Sequence, residues 1–70
     1  MLKNQLGRNI KSLRTAYGET QLELALAVGL DSPNAIANYE KGDRKPKSEI
    51  RSRIAAHFRI TEEELANSDF

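Results

Sequence analysis

Between Thr20 and Pro46 the chain alternates helix-start and helix-stop signals so closely that only short helices joined by tight turns satisfy them. Thr20 and Glu23 stand in the Thr-x-x-Glu order of a capping box. There a hydroxyl satisfies the N3 amide while the glutamate reaches back to the cap amide. Leu24, Ala25 and Val28 fall on one helical face. Gly29 then closes the helix through a left-handed turn that a Cβ would oppose. Ser32-Pro33 is a second start signal, with proline at the first helical position, where its missing N–H does no harm. Ala35, Ile36 and Tyr39 carry the next apolar face, and Gly42 stops it. The spacing predicts helices over residues 20–28 and 32–41 with a sharp turn between them.

The flanks extend the pattern. Leu6, Ile10, Leu13 and Tyr17 recur at helical spacing and predict a first helix over residues 3–17, stopped by Gly18. Residues 42–47, GDRKPK, form the one extended loop. Ser48 is the expected cap of a fourth helix with Ile50, Ile54 and Phe58 on its apolar face. Thr61 and Glu64 make a second capping box, opening a short fifth helix that contains Leu65. No alternating β-branched run marks a strand. The expected fold is all-α, a compact bundle of five short helices forming a single domain over residues 1–70. Leu13, Leu24, Val28, Ile36, Tyr39, Ile54 and Phe58 should be buried together. Leu65 and Phe70 are then left over once helices 1–4 close their core.

Seventy residues build only a marginal core. With no cysteine, neither a disulfide framework nor a Cys-based zinc site can staple it, and the chain suits a reducing cytoplasm. No apolar run approaches the ~18 residues of a membrane helix, and no signal-peptide core is present. His57 is the sole histidine, with no serine or acid evidently paired to it, and is read as a surface or packing residue. Glu62, Glu63 and Glu64 offset the dipole of the helix they open and need no further role. No glycine-rich phosphate loop occurs. The expectation is a cytoplasmic non-enzyme without metal or cofactor.

Net charge is only +1, but its distribution is uneven. Lys41, Arg44, Lys45, Lys47, Arg51, Arg53 and Arg59 face only Asp43 and Glu49 within residues 41–59. The acids gather instead at Glu62, Glu63, Glu64 and Asp69. Such asymmetry fits a phosphate-facing side and a solvent-facing side.

Thr20-Gln21, Leu24-Ala25, Val28-Gly29, Ile36, Tyr39-Glu40-Lys41-Gly42 and Pro46 together resemble the phage-repressor and Cro type of helix-turn-helix, the xenobiotic-response-element family. Leu13-Arg14 upstream and Ile54-Ala55, Phe58, Ile60 and Leu65 downstream extend the resemblance over roughly residues 5–66. The resemblance implies a lambda-repressor-like domain that binds double-stranded DNA by laying its third helix in the major groove. On that helix Ser32, Asn34, Ala37 and Asn38 are polar or small, and asparagine suits bidentate pairing with adenine N6 and N7. Asn34 and Asn38, four apart, are the expected base readers. Gln21, by resemblance, anchors a phosphate and braces the third helix. Lys41, Arg44, Lys45 and Lys47 are expected on the DNA backbone, supplying affinity rather than sequence reading. Arg14 and Glu40 match a pair that family members commonly join as a salt bridge.

The chain also departs from the commonest pattern. Thirteen positions separate Gly29 from Gly42, one more than usual, so either Ser32 or Asn34 is the first residue to meet a base. Pro33 occupies a place where a long polar reader is frequent. Arg59 stands where a glycine is expected after the fourth helix, and Glu19 where an apolar residue would form a hydrophobic staple. Leu22 and Leu26 replace polar residues and offer an apolar patch or a wider core contact. The expected function is a DNA-binding transcriptional regulator, a repressor acting as a homodimer on an inverted repeat, with residues 62–70 as its contact surface. The alternative is a protein-binding module, an antitoxin or adaptor, that uses Leu22 and Leu26.

Overall fold

Side-chain caps and left-handed turns divide the chain into five helices. The computed structural model describes residues 4–70. They form α1 (Gln5–Ala16), α2 (Gln21–Ala27), α3 (Asn34–Lys41), α4 (Ser48–His57) and α5 (Glu62–Asn67), with no strand among them. Asn4 caps α1 through the Gly7 amide, and both predicted capping boxes, at Thr20–Glu23 and Thr61–Glu64, are formed. Lys3, the expected start of the first helix, lies outside the described residues. No helix among those described is long and apolar enough to cross a membrane.

Two predicted starts shift. α3 begins at Asn34, and Pro33 occupies the cap position (φ −76°, ψ −8°) instead of the first helical one. The proline ring disfavours helical backbone at Ser32, and the first intrahelical bond runs from the Ala37 amide to the Pro33 carbonyl at 2.9 Å. Ser48 is the first helical residue of α4 and not its cap. The Lys47 carbonyl already accepts from the Arg51 amide at 2.8 Å, and Lys47 contributes no side-chain cap.

Four of the five helices end alike; in α1 the left-handed residue is Gly18 (φ 73°), and the Glu19 amide donates to the Arg14 carbonyl at 2.9 Å. Gly29 (φ 92°) and Gly42 (φ 86°) are left-handed, and the amide of the next residue turns back to a carbonyl inside the helix: Leu30 to Ala25 at 2.8 Å, Asp43 to Asn38 at 3.0 Å. α4 closes in the same way, with Ile60 donating to Ala55 at 3.0 Å, but the left-handed residue is Arg59 at φ 61°. A side chain in that conformation costs about 1–2 kcal/mol.

The seven residues expected to be buried are buried, joined by Ile10, Ala25, Ala55 and Leu65. α1 packs on α3 and α5, α2 on α3, and α4 on α5. Two expectations fail here. Leu65 is not left over: it is fully buried and completes the core from α5. Tyr17 lies beyond α1 at its C-cap and stays half exposed, with its ring edge-on to Phe58 at 4.9 Å.

Polar anchors set α1 against its neighbours. A Cβ on Gly7 would collide with the Tyr39 carbonyl oxygen, so α1 and α3 approach at backbone distance. Buried Asn9 donates to the carbonyls of Leu65 (2.7 Å) and Ser68 (2.6 Å), and its own oxygen accepts from Gln5 (2.9 Å) and the Phe70 amide (3.3 Å). One asparagine thus ties the C-terminal tail to α1.

Leu24 is fully buried, so Leu24→Ala should destabilise the fold by about 2–5 kcal/mol, read by chemical denaturation. Arg59→Gly relieves the left-handed strain against a smaller loss of chain entropy. It should stabilise by about 0.5–1 kcal/mol and raise the melting temperature by a few degrees.

Candidate nucleic-acid interface

α3 has an inner and an outer face. Ile36 and Tyr39 are buried against α1 and α2. Asn34, Ala37, Asn38 and Lys41, at helical spacing, lie on the other side, with Asn34 and Lys41 exposed and Ala37 and Asn38 partly so. The Asn34 and Asn38 side chains make no hydrogen bond to any described residue, so their amide groups are unspent; the Asn38 backbone carbonyl takes the amides of Gly42, Asp43 and Arg44. Ser32 precedes the helix. Its hydroxyl accepts from the Asn34 amide at a long 3.4 Å, and Asn34 is the first helical residue on the outer face.

A buried ion pair fixes α3 to the scaffold. Arg14 Nε donates to Glu40 Oε2 at 2.7 Å and Nη2 to Oε1 at 3.3 Å, with both side chains nearly closed to solvent (12% and 6% exposed). Arg14 Nη1 donates to the Glu19 carbonyl at 2.7 Å. Gln21, the first residue of α2, donates from Nε2 to Glu40 Oε1 at 3.0 Å. From the far end, Asn4 Nδ2 donates to the Glu40 carbonyl at 3.0 Å. Glu40 therefore joins α1, α2 and α3, and it orients the Gln21 amide while leaving the second Nε2 hydrogen and the amide oxygen free.

The basic loop follows directly. Lys41, Arg44, Lys45 and Lys47 are exposed and join no ion pair among the described residues, while buried Pro46 anchors the loop to the body. Behind it lies a 420 Å³ recess walled in part by Leu6, Tyr39, Arg44, Lys45 and Arg51. The expected separation of charge holds for this loop and for exposed Arg59, but not for the two arginines of α4. Arg51 pairs with Glu62 at 3.1 Å and Arg53 with Glu49 at 2.6 Å, so acids from α4 and α5 neutralise two of the counted cations. Sequence spacing hid this because Glu62 is eleven residues from its partner and reaches it only when α5 folds back on α4.

His57 also departs from expectation, for it has an acid partner. Its Nε2 lies 2.7 Å from Glu19 Oε2. The absent staple at Glu19 is thus replaced by a polar contact from the α1–α2 turn to the end of α4. No local signal announces it, since thirty-eight residues intervene.

The family model described as Helix-turn-helix matches residues 10–65, most of the chain. Antitoxin PezA of Streptococcus pneumoniae is 36% identical over 64 residues, which cover 91% of this chain but 40% of that protein; the chain spans well under half of its relative. Among solved structures, the restriction-modification controller protein C.AhdI of Aeromonas hydrophila is similar at 31% identity and a TM-score of 0.79, covering 89% of this chain and 92% of that one. The P22 c2 repressor, solved with a synthetic operator, superposes with a TM-score of 0.87 at 22% identity over 96% of this chain and 100% of its own.

Because Arg14 and Glu40 are buried together, losing one strands a charge. Arg14→Met alone should cost about 3–5 kcal/mol, whereas the double change Arg14→Met with Glu40→Leu should cost less, read by a double-mutant cycle in urea. With the family model matched over residues 10–65, the chain belongs to the phage-repressor and Cro type of helix-turn-helix family.

Proposed function

We propose that the chain is a DNA-binding transcriptional regulator, a repressor that lays α3 in the major groove of an inverted-repeat operator and works as a homodimer. One observation carries the reading: α3 is rigidly held through Glu40 while the amides of Asn34 and Asn38 on its outer face stay unspent. Asn38 and Asn34 read bases, with Ala37 allowing close approach and Ser32 at the margin. Gln21, oriented by Glu40, takes a phosphate. Lys41, Arg44, Lys45 and Lys47 follow the backbone and make affinity salt-dependent. Two similar proteins support this, one solved with an operator and one named a controller protein. Such a protein acts in the cytoplasm, at the nucleoid, and needs neither metal nor cofactor nor catalysis.

One α3 spans about four or five base pairs, too few to select a site in a genome, so two copies should act together about 34 Å apart. With Leu65 in the core, Phe70, about half exposed, is the apolar group that residues 62–70 offer to a partner copy.

A second reading has its own observation. Leu22 and Leu26 are 44% and 58% exposed on α2, so they do not widen the core, and the relative PezA is named an antitoxin. A protein partner covering α2 would fit. Steep salt dependence of DNA affinity supports the first reading; a tight protein partner with weak, sequence-blind DNA binding supports the second.

The decisive measurement is affinity against all single-base variants of a site selected from random DNA. Asn38→Ala should lose about 1–3 kcal/mol at one base position and little elsewhere. Lys45→Ala should weaken every sequence alike and lower the salt slope by about one unit. Uniform loss in Asn38→Ala would remove it from base reading.

A further inference from the structure

The α1–α2 turn and the end of α4 meet in a polar clasp that the DNA-reading surface does not itself contain. Glu19 sits in that turn, directly before the cap Thr20 and two residues before Gln21. Its backbone carbonyl accepts from Arg14 Nη1 at 2.7 Å, and its carboxylate meets His57 Nε2 at 2.7 Å. The second carboxylate oxygen, Oε1, is shut away from solvent without a partner. His57 ends α4, its ring edge-on to Phe58 at 4.9 Å and tilted against Tyr17 at 6.3 Å, while the Tyr17 hydroxyl donates to the Phe58 carbonyl at 3.2 Å. Both side chains of the pair are about three-quarters buried.

We infer that Glu19 and His57 are positioning residues: their pairing holds the α1–α2 turn so that Arg14 stays on Glu40 and Glu40 presents the Gln21 amide. The last link, from Gln21 to a phosphate, rests on the DNA-binding reading above. Arg14 lies between two acids, Glu40, which it pairs, and Glu19, whose carbonyl it already holds. His57 draws the Glu19 carboxylate to α4. Without it, a carboxylate with one oxygen already unsatisfied is released from α4 on the residue whose backbone carbonyl Arg14 already holds. It then competes with Glu40, and Gln21 loses its fixed acceptor. The groups that bear on His57 are Glu19 and the Tyr17 phenol from the turn, with Arg14 beyond Glu19; on α4 itself, Arg53 is engaged by Glu49 and the Val28 carbonyl.

At fixed salt and pH, His57→Ala and Glu19→Ala should each weaken affinity for the selected site about two- to fivefold, the scale of a partly exposed ion pair, whereas His57→Gln, which keeps a donor for Glu19, should stay near wild type. Equal loss in His57→Gln and His57→Ala overturns the inference.

Side-chain NMR gives a readout that does not need DNA. The Arg14 Nε–H and Gln21 Nε2 resonances should shift in His57→Ala and return toward wild type in His57→Gln, which keeps a donor for Glu19. Should His57→Ala fail to fold, Glu19→Ala, which removes the other partner, decides by the same resonances. Resonances unmoved in these variants overturn the clasp, whatever the DNA result. Wild-type protein that binds no duplex overturns the DNA reading instead, and the resonances still judge the clasp.

Discussion

The Arg14–Glu40 pair is the interaction on which the rest of the arrangement depends. Two charges nearly closed to solvent carry a large desolvation penalty, and only good geometry with further hydrogen bonds offsets it. Both conditions are met. Glu40 accepts two Arg14 bonds and one from Gln21, and Arg14 also holds the Glu19 carbonyl. The backbone beneath is equally constrained, since Gly7 brings α1 against the Tyr39 carbonyl and Asn4 caps α1 while holding the Glu40 carbonyl. α3 therefore cannot rotate on the bundle without breaking polar contacts at both ends of α1. A pair of this kind contributes one geometry more than it contributes stability.

A domain of this size has little free energy to spare, and it meets that limit by repeating one device. α2, α3 and α4 each close with a left-handed residue whose successor donates back into the helix. Turns of this form keep the connections short, so little chain is ordered without packing. The exception at Arg59 leaves a strained residue at the end of α4, next to Phe58 and His57. Strain there persists because the surrounding contacts over-determine the turn: Phe58 is buried, and Ile60 packs on the core.

What could be read in advance follows the range of the interaction. The capping boxes at Thr20 and Thr61, the stops at Gly29 and Gly42, and the apolar faces of Leu24, Val28, Ile36 and Tyr39 act within a turn or two, so local order carries them. Arg14 with Glu40 spans twenty-six residues, and only the family resemblance made it legible. Asn9 gave no signal, because an asparagine inside a helix reads as polar surface unless the tail carbonyls it holds are known. Leu65 escapes sequence reading for a related reason: a four-helix core looks closed in sequence, and the space that α5 fills exists only in three dimensions. Glu19–His57 and Arg51–Glu62 belong with these, being pairs between elements that spacing cannot bring together.

The division between satisfied and unsatisfied polar groups says what the surface is for. Asn4, Asn9, Arg14 and Glu40 spend their hydrogen bonds inside the protein and fix positions. Asn34 and Asn38 spend none there, and Lys41, Arg44, Lys45 and Lys47 have no acid partner among the described residues. Two asparagines serve opposite ends by environment alone: Asn9, buried, accepts and donates to complete a joint, while Asn38, on the outer face, keeps both functions for another molecule. Unspent amides on a rigid helix beside uncompensated cations suit a partner that presents hydrogen-bonding edges flanked by anions, which is the chemistry of a base pair between its phosphates.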